Sequence, residues 1–321
     1  MRTLTAACVS ALCLALSPAP LLAQGTSSGK PVRLVVPLSP GGPTDFLART
    51  VAQGLSVALG QPVVVDNRPG AEGAIAAREV IGSAPDGNTL LFATGGMVAV
   101  PLQSKPVTFD WQSEFAPVGR IGRMSFCLTV HQEVPARTVA ELVAYARAQP
   151  DKLNYSTSTA SELMAAAQFM KATGIRMNRV PYKGGAQAMP DLLAGRIQVM
   201  FGPVTLIQPH LKAGAVRVLA TLLPARSSAM PDVPTMGEAG YADVSVPTWQ
   251  AIFAPARTPA PVLARLSAEL GTVLARPEIR AEMERRAIFM DQGTPQVLAA
   301  AVAHDQTAWV RLISEFKLGA E

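Results

Sequence analysis

The sequence predicts an α/β fold in two lobes, each with a mostly parallel sheet flanked by helices. Valine-rich runs alternate with segments of helical periodicity from residue 32 onward, a pattern typical of β-α-β units. A second series of the same kind begins near Phe126. The C-terminal helices have no strands of their own, so we expect them to pack on one of the two sheets.

The first series opens with a strand at 32–37 and a helix at 45–59, whose apolar residues recur near helical spacing. Thr44 or Asp45 is the expected N-cap of this helix, because such side chains accept hydrogen bonds from exposed backbone N–H groups. The other elements predicted in this series are strands at 62–66 and 89–93 and a helix at 74–81.

The second series contains a helix at 138–148, where Thr138 and Glu141 have the spacing of a capping box. Its other predicted elements are strands at 126–130, 153–156, 179–182, 199–201 and 216–222, and helices at 162–173 and 186–194. The last part is predicted to be extended at 244–254 and helical at 261–275, 277–286 and 295–317.

Packing of the C-terminal helices on the first sheet makes the first lobe discontinuous. We predict lobe I over 30–126 plus 247–321 and lobe II over 127–246. The chain then crosses between the lobes twice, and two lobes joined in this way can close on a ligand in the cleft.

Residues 1–23 predict a secretory signal peptide, with cleavage after Ala23. Arg2 gives a short positive region, and the apolar stretch 4–16 is too short to span a bilayer. The mature chain keeps Cys127 and no second cysteine, so the hydrophobic core has to stabilise the fold without a disulfide. Cys127 lies in an apolar run and is predicted to be a buried, inert thiol.

The charge balance argues against a nucleic-acid partner. Of 28 basic residues, Arg2 leaves with the signal, so 27 face 23 acidic ones and the net charge is +4. The basic residues are scattered and aromatic residues are few, unlike a nucleic-acid-binding surface. A weak positive field favours small anionic ligands.

A turn between the first strand and its helix is the best candidate for a ligand-binding element. A glycine-rich turn at a helix N-terminus exposes N–H groups and the positive end of the helix dipole, which together can hold an anion. An ordinary strand-to-helix turn is the alternative, since the phosphate-loop and dinucleotide motifs are absent. The candidate residues of this first loop (38–45) are Leu38, Ser39, Gly41, Gly42, Thr44 and Asp45.

Other small-residue turns follow predicted strands, at the ends where ligands bind in sheets of this kind. Ser and Thr also favour turns and helix caps for local reasons, so a purely structural role is the alternative. One such turn contributes the candidates Thr94 and Gly95, and another contributes Lys183 and Gly184. The third, called here the second loop (156–161), contributes Ser156, Thr157, Ser158, Thr159 and Ser161.

No catalytic constellation is visible in the sequence. His131, His210 and His304 are far apart and lack metal-ligand spacing, and the common hydrolase and metalloprotease motifs are absent. Glu162 lies beside the second loop, but an acid in the first turn of a helix is favoured by the dipole alone. We therefore expect no catalytic residue, no metal and no cofactor.

Short segments spread over the mature chain carry a family resemblance. They occupy 30–37, 40–45, 64–71, 84–91, 180–185, 191–195, 231–235 and 238–240. In order and spacing they resemble the extracytoplasmic solute-binding receptors of tripartite tricarboxylate transporters, the Bug family.

The resemblance implies a type II periplasmic-binding-protein-like fold with an organic acid in the interlobe cleft. It further implies a periplasmic, monomeric receptor that delivers a small carboxylate to membrane transporter subunits. Backbone N–H groups, hydroxyls and water from the first and second loops would hold the carboxylate. Thr94, Gly95, Lys183, Gly184 and Phe201 would complete the site.

Some residues depart from the family pattern. The second loop lacks glycine, Met164 stands near the place of a family histidine, and Gly202 and Pro203 follow Phe201 where an aspartate is common. The second lobe is thus expected to present a less polar and less acidic wall. This favours a ligand with one carboxylate and an apolar body over a citrate-like polyacid.

Two matters stay open at the level of sequence. Asp45 can cap its own helix, or it can face the cleft and bind a ligand ammonium group. The chain can be a transport receptor, a ligand sensor for signalling without transport, or a secreted α/β hydrolase-like enzyme. The enzyme would need a base within reach of Ser156, Ser158 or Ser161, and none lies near in sequence.

Overall fold

Two mixed β-sheets, each flanked by helices, form the two lobes of the protein. The computed structural model describes residues 30–103, 109–223, 225–226, 230–246, 248–285 and 287–316. The predicted signal peptide, 1–23, lies outside the described residues. Within the described ranges, no helix is both long and apolar enough to cross a bilayer.

The first part of the chain builds most of lobe I. Its elements are β1 (Val32–Val36), α1 (Pro43–Leu59), β2 (Val63–Asn67), α2 (Ala74–Ile81), β3 (Thr89–Thr94), α3 (Val100–Gln103), α4 (Trp111–Glu114) and β4 (Phe115–Met124). A short 3-10 turn (Gly95–Ala99) follows β3, and another (Ala71–Gly73) precedes α2.

The middle part of the chain builds lobe II, after the single residue Ser125. Its elements are β5 (Phe126–His131), α5 (Val139–Ala148), β6 (Asn154–Thr157), α6 (Ala160–Thr173), β7 (Asn178–Pro181), α7 (Gly185–Leu193), β8 (Val199–Pro203), α8 (Val204–Leu211) and β9 (Val216–Thr221).

The last part of the chain returns to lobe I. Its elements are β10 (Trp249–Pro255), α9 (Ala260–Ala275), α10 (Pro277–Arg285), β11 (Ile288–Phe289) and α11 (Pro295–Phe316). The helices α9 and α11 pack against β4 of the first sheet, as expected for C-terminal helices without a sheet of their own.

Both sheets are mixed rather than mostly parallel, which corrects the sequence prediction. The first has the order β11-β4-β10-β3-β1-β2, with β1 parallel to β2 and β3 and antiparallel pairing among β3, β10, β4 and β11. The second has the order β7-β6-β8-β5-β9, with β6 parallel to β7 and β8 and β5 antiparallel to β8 and β9. The chain passes from lobe I to lobe II at the end of β4 and re-enters lobe I at the start of the adjacent β10. These two strands therefore run in opposite directions.

Most predicted elements are confirmed with ends shifted by one or two residues, the usual uncertainty of element boundaries. Thr138 caps α5 as predicted, because its hydroxyl accepts the Glu141 N–H at 3.1 Å. The segment predicted as extended from 244 forms a strand only from Trp249. The prediction missed α8, the long strand β4 and the short elements α3, α4 and β11.

The strand and the helix that flank the first loop pack into the hydrophobic core. Leu34 and Val36 of β1 and Leu47 and Val51 of α1 are fully buried. Each such side chain stabilises the fold by about 1.5–3 kcal/mol relative to an exposed one. The loop between β1 and α1 is therefore held at both ends by the core. Cys127 is buried, as predicted, and burial raises the pKa of its thiol to about 12.

Candidate functional site

In the described chain, four helices begin around one cavity between the lobes. Their N-caps are Gly42 for α1, Thr159 for α6, Gly184 for α7 and Pro203 for α8, and all four residues line the cavity. A helix N-terminus carries unpaired N–H groups and roughly half a positive charge. The cavity is therefore electrostatically suited to an anion although no basic side chain lies in its described lining.

The cavity, called here the inner cavity, has a volume of about 40 Å³. A water molecule needs roughly 10–15 Å³ by this measure, so the space matches the few heavy atoms of a carboxylate group. Its lining combines hydroxyls with apolar groups and comprises Leu38, Ser39, Gly42, Pro43, Thr44, Thr94, Met124, Phe126, Ser158, Thr159, Ser161, Glu162, Gly184, Gly185, Pro203, Thr248 and Gln250.

The two lobes are in close contact around the inner cavity. The Ser39 N–H donates to the Lys183 carbonyl across the cleft at 3.4 Å. Gly96 of lobe I approaches the first turn of α6 so closely that a Cβ there would lie 2.7 Å from Ser161 Oγ. The structure is therefore a closed form of the two-lobed fold.

The first loop is organised by Asp45, but not through the predicted cap. Gly42 is the N-cap of α1, because Pro43 has the fixed φ favoured at the first helical position. The Asp45 carboxylate lies in the first turn and accepts hydrogen bonds from the Gly41 N–H at 3.0 Å, Arg49 at 2.9 Å and Asn67 at 3.0 Å.

These contacts decide between the two roles considered for Asp45. Burial raises the pKa of its carboxyl, but the hydrogen bonds from Arg49, the Gly41 N–H and Asn67 outweigh burial and hold the pKa below its usual value. Asp45 is absent from the lining of the inner cavity, and both its oxygens are engaged. The geometry supports a role in organising the helix start rather than in binding an ammonium group.

The second loop carries a buried acid, Glu162, that sequence reasoning set aside. Thr159 caps α6 by accepting the Glu162 N–H at 3.3 Å. The Glu162 carboxylate accepts the Ser158 N–H at 2.6 Å and the Ser158 hydroxyl at 2.8 Å. Burial raises the pKa of Glu162 to about 7, against the lowering effect of the Ser158 hydrogen bonds. Lobe II thus contributes one acidic side chain, Glu162, to the wall of the inner cavity, and the comparison with the family's usual wall stays a prediction.

A second, wider space, called here the outer groove, adjoins the inner cavity. It has a volume of about 490 Å³ and shares Leu38 and Ser158 with the inner cavity. An ion pair between Glu72 of lobe I and Arg179 of lobe II, with a 3.1 Å contact, lies in its wall. Arg179 also donates to the Thr157 hydroxyl at 2.8 Å. The outer groove, unlike the inner cavity, therefore contains basic side chains.

The structure separates the predicted site residues into three groups. Those in the lining of the inner cavity are Leu38, Ser39, Gly42, Thr44, Thr94, Ser158, Thr159, Ser161 and Gly184. Thr157 and Lys183 line the outer groove. Gly41, Asp45, Gly95, Ser156 and Phe201 line neither space.

Phe201 lies in the hydrophobic core and lines neither space. Its side chain is fully buried and its ring packs against that of Phe169, with centroids 5.6 Å apart. Gln250 and Thr248, in contrast, were not predicted and lie in the cavity lining. Gln250 is brought there by the pairing of β10 with β3, in which it stands opposite Thr94. No local sequence signal reports that register.

A family model described as "Tripartite tricarboxylate transporter family receptor" matches residues 47–318. The chain belongs to this family. The resemblance read from the ordered sequence segments is thereby confirmed, and the receptor family is one of solute-binding proteins rather than enzymes.

Solved structures agree with the family and the fold. The chain is similar to the periplasmic binding protein BugD, with 29% identity, a TM-score of 0.86, and coverage of 91% of this chain and 99% of that one. It is similar to Rpa4515 of R. palustris with adipate, with 30% identity, a TM-score of 0.85, and coverage of 89% and 97%. It is also similar to MatC of Rhodopseudomonas palustris with bound malate, with 28% identity, a TM-score of 0.84, and coverage of 88% and 98%. The two-lobed binding-protein fold is confirmed.

Proposed function

We propose that this receptor captures a small organic carboxylate between its lobes and delivers it to the subunits of a membrane transporter. The convergence of four helix N-termini on one enclosed cavity carries the proposal. Such a site neutralises an anion with backbone dipoles and needs no basic side chain. Relatives solved with adipate and with malate support a carboxylate as the ligand class.

The two spaces suggest how a ligand is accommodated. A carboxylate group fits the inner cavity, where Ser39, Thr44 and Thr159 offer hydroxyls beside the helix starts. The rest of the ligand extends past Leu38 into the outer groove. An apolar body packs there against Leu38, while a second carboxylate of a linear diacid can approach Arg179 and Lys183. A branched polyacid such as citrate fits the narrow inner cavity poorly.

The remaining parts of the proposal concern where and how the receptor acts. We propose lobe boundaries of 30–126 plus 247–321 and of 127–246, export by the signal peptide 1–23, and action in the periplasm as a monomer. Closure of the lobes holds the ligand without turnover. A sensor role uses the same closure, and activity of the transporter with this receptor distinguishes the two roles.

The hydrolase alternative has less support from the site. Ser158 donates a hydrogen bond from its hydroxyl to the Glu162 carboxylate, so the pair resembles a nucleophile beside a carboxylate base without the histidine of the usual serine hydrolase. A serine hydrolase needs a base that takes the proton and returns it to the leaving group. The described lining of the inner cavity holds no histidine for that step.

Ligand release and titration test the proposed function. Mass spectrometry of the denatured purified protein is expected to release a small carboxylic acid. Calorimetry with adipate, malate, benzoate and citrate is expected to show binding of at least one of the first three, and saturation at a hundredfold excess over Kd stabilises the fold by about 2.7 kcal/mol. Binding of citrate alone would overturn the expected ligand shape, and binding of none of these acids, with no acid released, would overturn the function.

A matched pair of variants on α1 locates the ligand. Thr44→Ala removes a hydroxyl that lines the inner cavity, and Thr50→Ala removes one that donates to the Phe46 carbonyl within the same helix. A hydrogen bond to a charged group contributes about 1.5–3 kcal/mol, so Thr44→Ala is expected to weaken binding by about 10- to 150-fold. Equal affinities of the two variants would place the ligand elsewhere.

A further inference from the structure

Glu162 is the only titratable side chain in the described lining of the inner cavity. It is 5% exposed and lies at the start of α6, with its carboxyl held by the Ser158 N–H and hydroxyl. The carboxylate of Glu72 acts on it from lobe I and raises its pKa, and no basic side chain belongs to the described lining of the inner cavity. A buried carboxylate without a cation is costly to keep ionised.

In the first loop, an acid at the same position of a helix start is paired with a basic side chain. Asp45 occupies the equivalent position of α1, the third helical residue, and accepts the N–H of the residue four positions earlier, as Glu162 does. Asp45 also forms an ion pair with Arg49 at 2.9 Å. Within the described ranges Glu162 forms no such ion pair, and no basic side chain lines the inner cavity there. A ligand anion in the inner cavity would therefore meet a carboxylate that no cation neutralises.

We propose that Glu162 is a specificity-determining residue that is protonated in the complex and donates this proton in a hydrogen bond to the ligand carboxylate. The inference rests on the carboxylate-binding function proposed above and selects acids that carry no ammonium group. The ligand enters as an anion, Glu162 takes one proton from solvent, and no covalent bond changes. An acid–carboxylate hydrogen bond thereby replaces a repulsion between two negative charges.

The charged groups around the site support this assignment. Burial, with a smaller contribution from Glu72, raises the pKa of Glu162 to about 7. Glu72 lies in the 3-10 turn before α2 and is partly neutralised by Arg179 of β7. Asp45 and Arg49 of α1 neutralise each other, and Lys183, before α7, lines the outer groove. A bound carboxylate adds a negative charge beside Glu162 and raises its pKa again.

The sign of the pH dependence follows from this shift. Because the complex has the higher Glu162 pKa, affinity is fully present below about pH 7 and is lost as pH rises through the pKa of the complex. Uptake of one proton predicts a loss of about tenfold in affinity per pH unit above pH 7. An ionised Glu162 that held a ligand ammonium group would give the opposite sign.

Calorimetric titration of the mature receptor with adipate, malate and glutamate between pH 6 and 9 tests the inference. Measurements at pH 8.5 in two buffers of different ionisation heat count the protons, and uptake close to one per ligand is expected. Glu162→Gln cannot ionise but keeps a donor, so it is expected to bind at pH 8.5 as tightly as the wild type at pH 6. Glu141→Gln is the matched control, since Glu141 has the same helix-start position in α5 but is exposed, and it should leave the profile unchanged.

Three outcomes separate the possibilities. A flat pH profile with no proton uptake would overturn the inference and leave the receptor function intact. Affinity that rises with pH, together with preference for glutamate over adipate, would assign Glu162 as an anion that binds a cation. Absence of binding for every acid at every pH would instead overturn the proposed function. If Glu162→Gln fails to fold, as judged by circular dichroism, the proton count of the wild type still decides.

Discussion

Gly96→Ala tests whether the ligand complex is as tightly closed as the structure. Gly96 lies in the 3-10 turn after β3, and its contact across the cleft is the first turn of α6. An added Cβ would lie 2.7 Å from Ser161 Oγ and 2.9 Å from Ser161 N. Gly96 does not have a positive φ, so alanine can adopt its backbone conformation without strain.

The expected loss of ligand affinity in Gly96→Ala follows from these two contacts. The hydroxyl of Ser161 can rotate away, but its backbone nitrogen belongs to α6 and can move only with lobe II. Reaching an ordinary separation of 3.4 Å from 2.9 Å requires the lobes to part by about 0.5 Å. Overpacking of this kind costs about 1–3 kcal/mol. Since about 1.4 kcal/mol is tenfold in affinity, the variant is expected to bind ligand about 5- to 150-fold more weakly.

Calorimetry with the tightest ligand of the panel measures this loss. Gly82→Ala is the control, because its Cβ would lie 3.5 Å from the Arg78 carbonyl, an ordinary contact outside the cleft. The control should bind as the wild type does, and both variants should unfold at the wild-type temperature without ligand. Wild-type affinity in Gly96→Ala would refute the reasoning, since the bound state would then be more open than the structure.

Three further variants or treatments give independent predictions. Asp45→Asn should lower the free energy of unfolding by about 1–3 kcal/mol at pH 7. Because the pKa of Asp45 is lowered in the folded state, the stabilisation from its carboxylate is lost as pH falls. Urea denaturation should therefore show a smaller difference in stability between wild type and variant near pH 3 than at pH 7, and an equal difference at both pH values would contradict this. Arg179→Gln removes the half-exposed ion pair with Glu72 and should speed ligand dissociation by up to about fivefold. Stopped-flow measurements give this rate, and an unchanged rate would contradict the prediction. Cys127, with its pKa raised to about 12 by burial, should react with a thiol reagent at pH 8 only after unfolding in urea.

The sequence predicts strands well where local pattern and tertiary role agree. β1 to β3 are apolar runs bounded by turns, and they appear within one residue of the predicted ends. β4 was missed because it contains Gly119, Gly122 and two arginines, which are poor local strand signals. Its strand character depends on distant partners: a Cβ on Gly122 would lie 2.3 Å from the Phe289 carbonyl oxygen of β11. Only tertiary structure shows that a glycine permits this approach.

The candidate site likewise contains residues with a local sequence signal and residues whose positions depend on tertiary structure. The first loop and the hydroxyls of the second loop were predicted from their places at strand ends and helix starts, and part of each lines the inner cavity. Phe201 lies in the core because adjacent strand residues face opposite sides of a sheet, and which side is the core depends on α6 packing there. Glu162 was set aside because an acid is expected at a helix start. That explanation holds, since Glu162 accepts the Ser158 N–H, but the same carboxyl also faces the cavity.

The two loops therefore use one local arrangement with different electrostatic consequences. In both, an acid in the first helical turn accepts a backbone N–H of the preceding loop. Arg49 neutralises the acid of the first loop, so that loop contributes a constant positive field from its helix start. Glu162 forms no such ion pair in the part of the chain that the structure describes, so under the proposal above the field of the second loop depends on one proton. Because the helix starts alone would accept any small anion, selection among carboxylates is expected to come from Glu162 and from the outer groove.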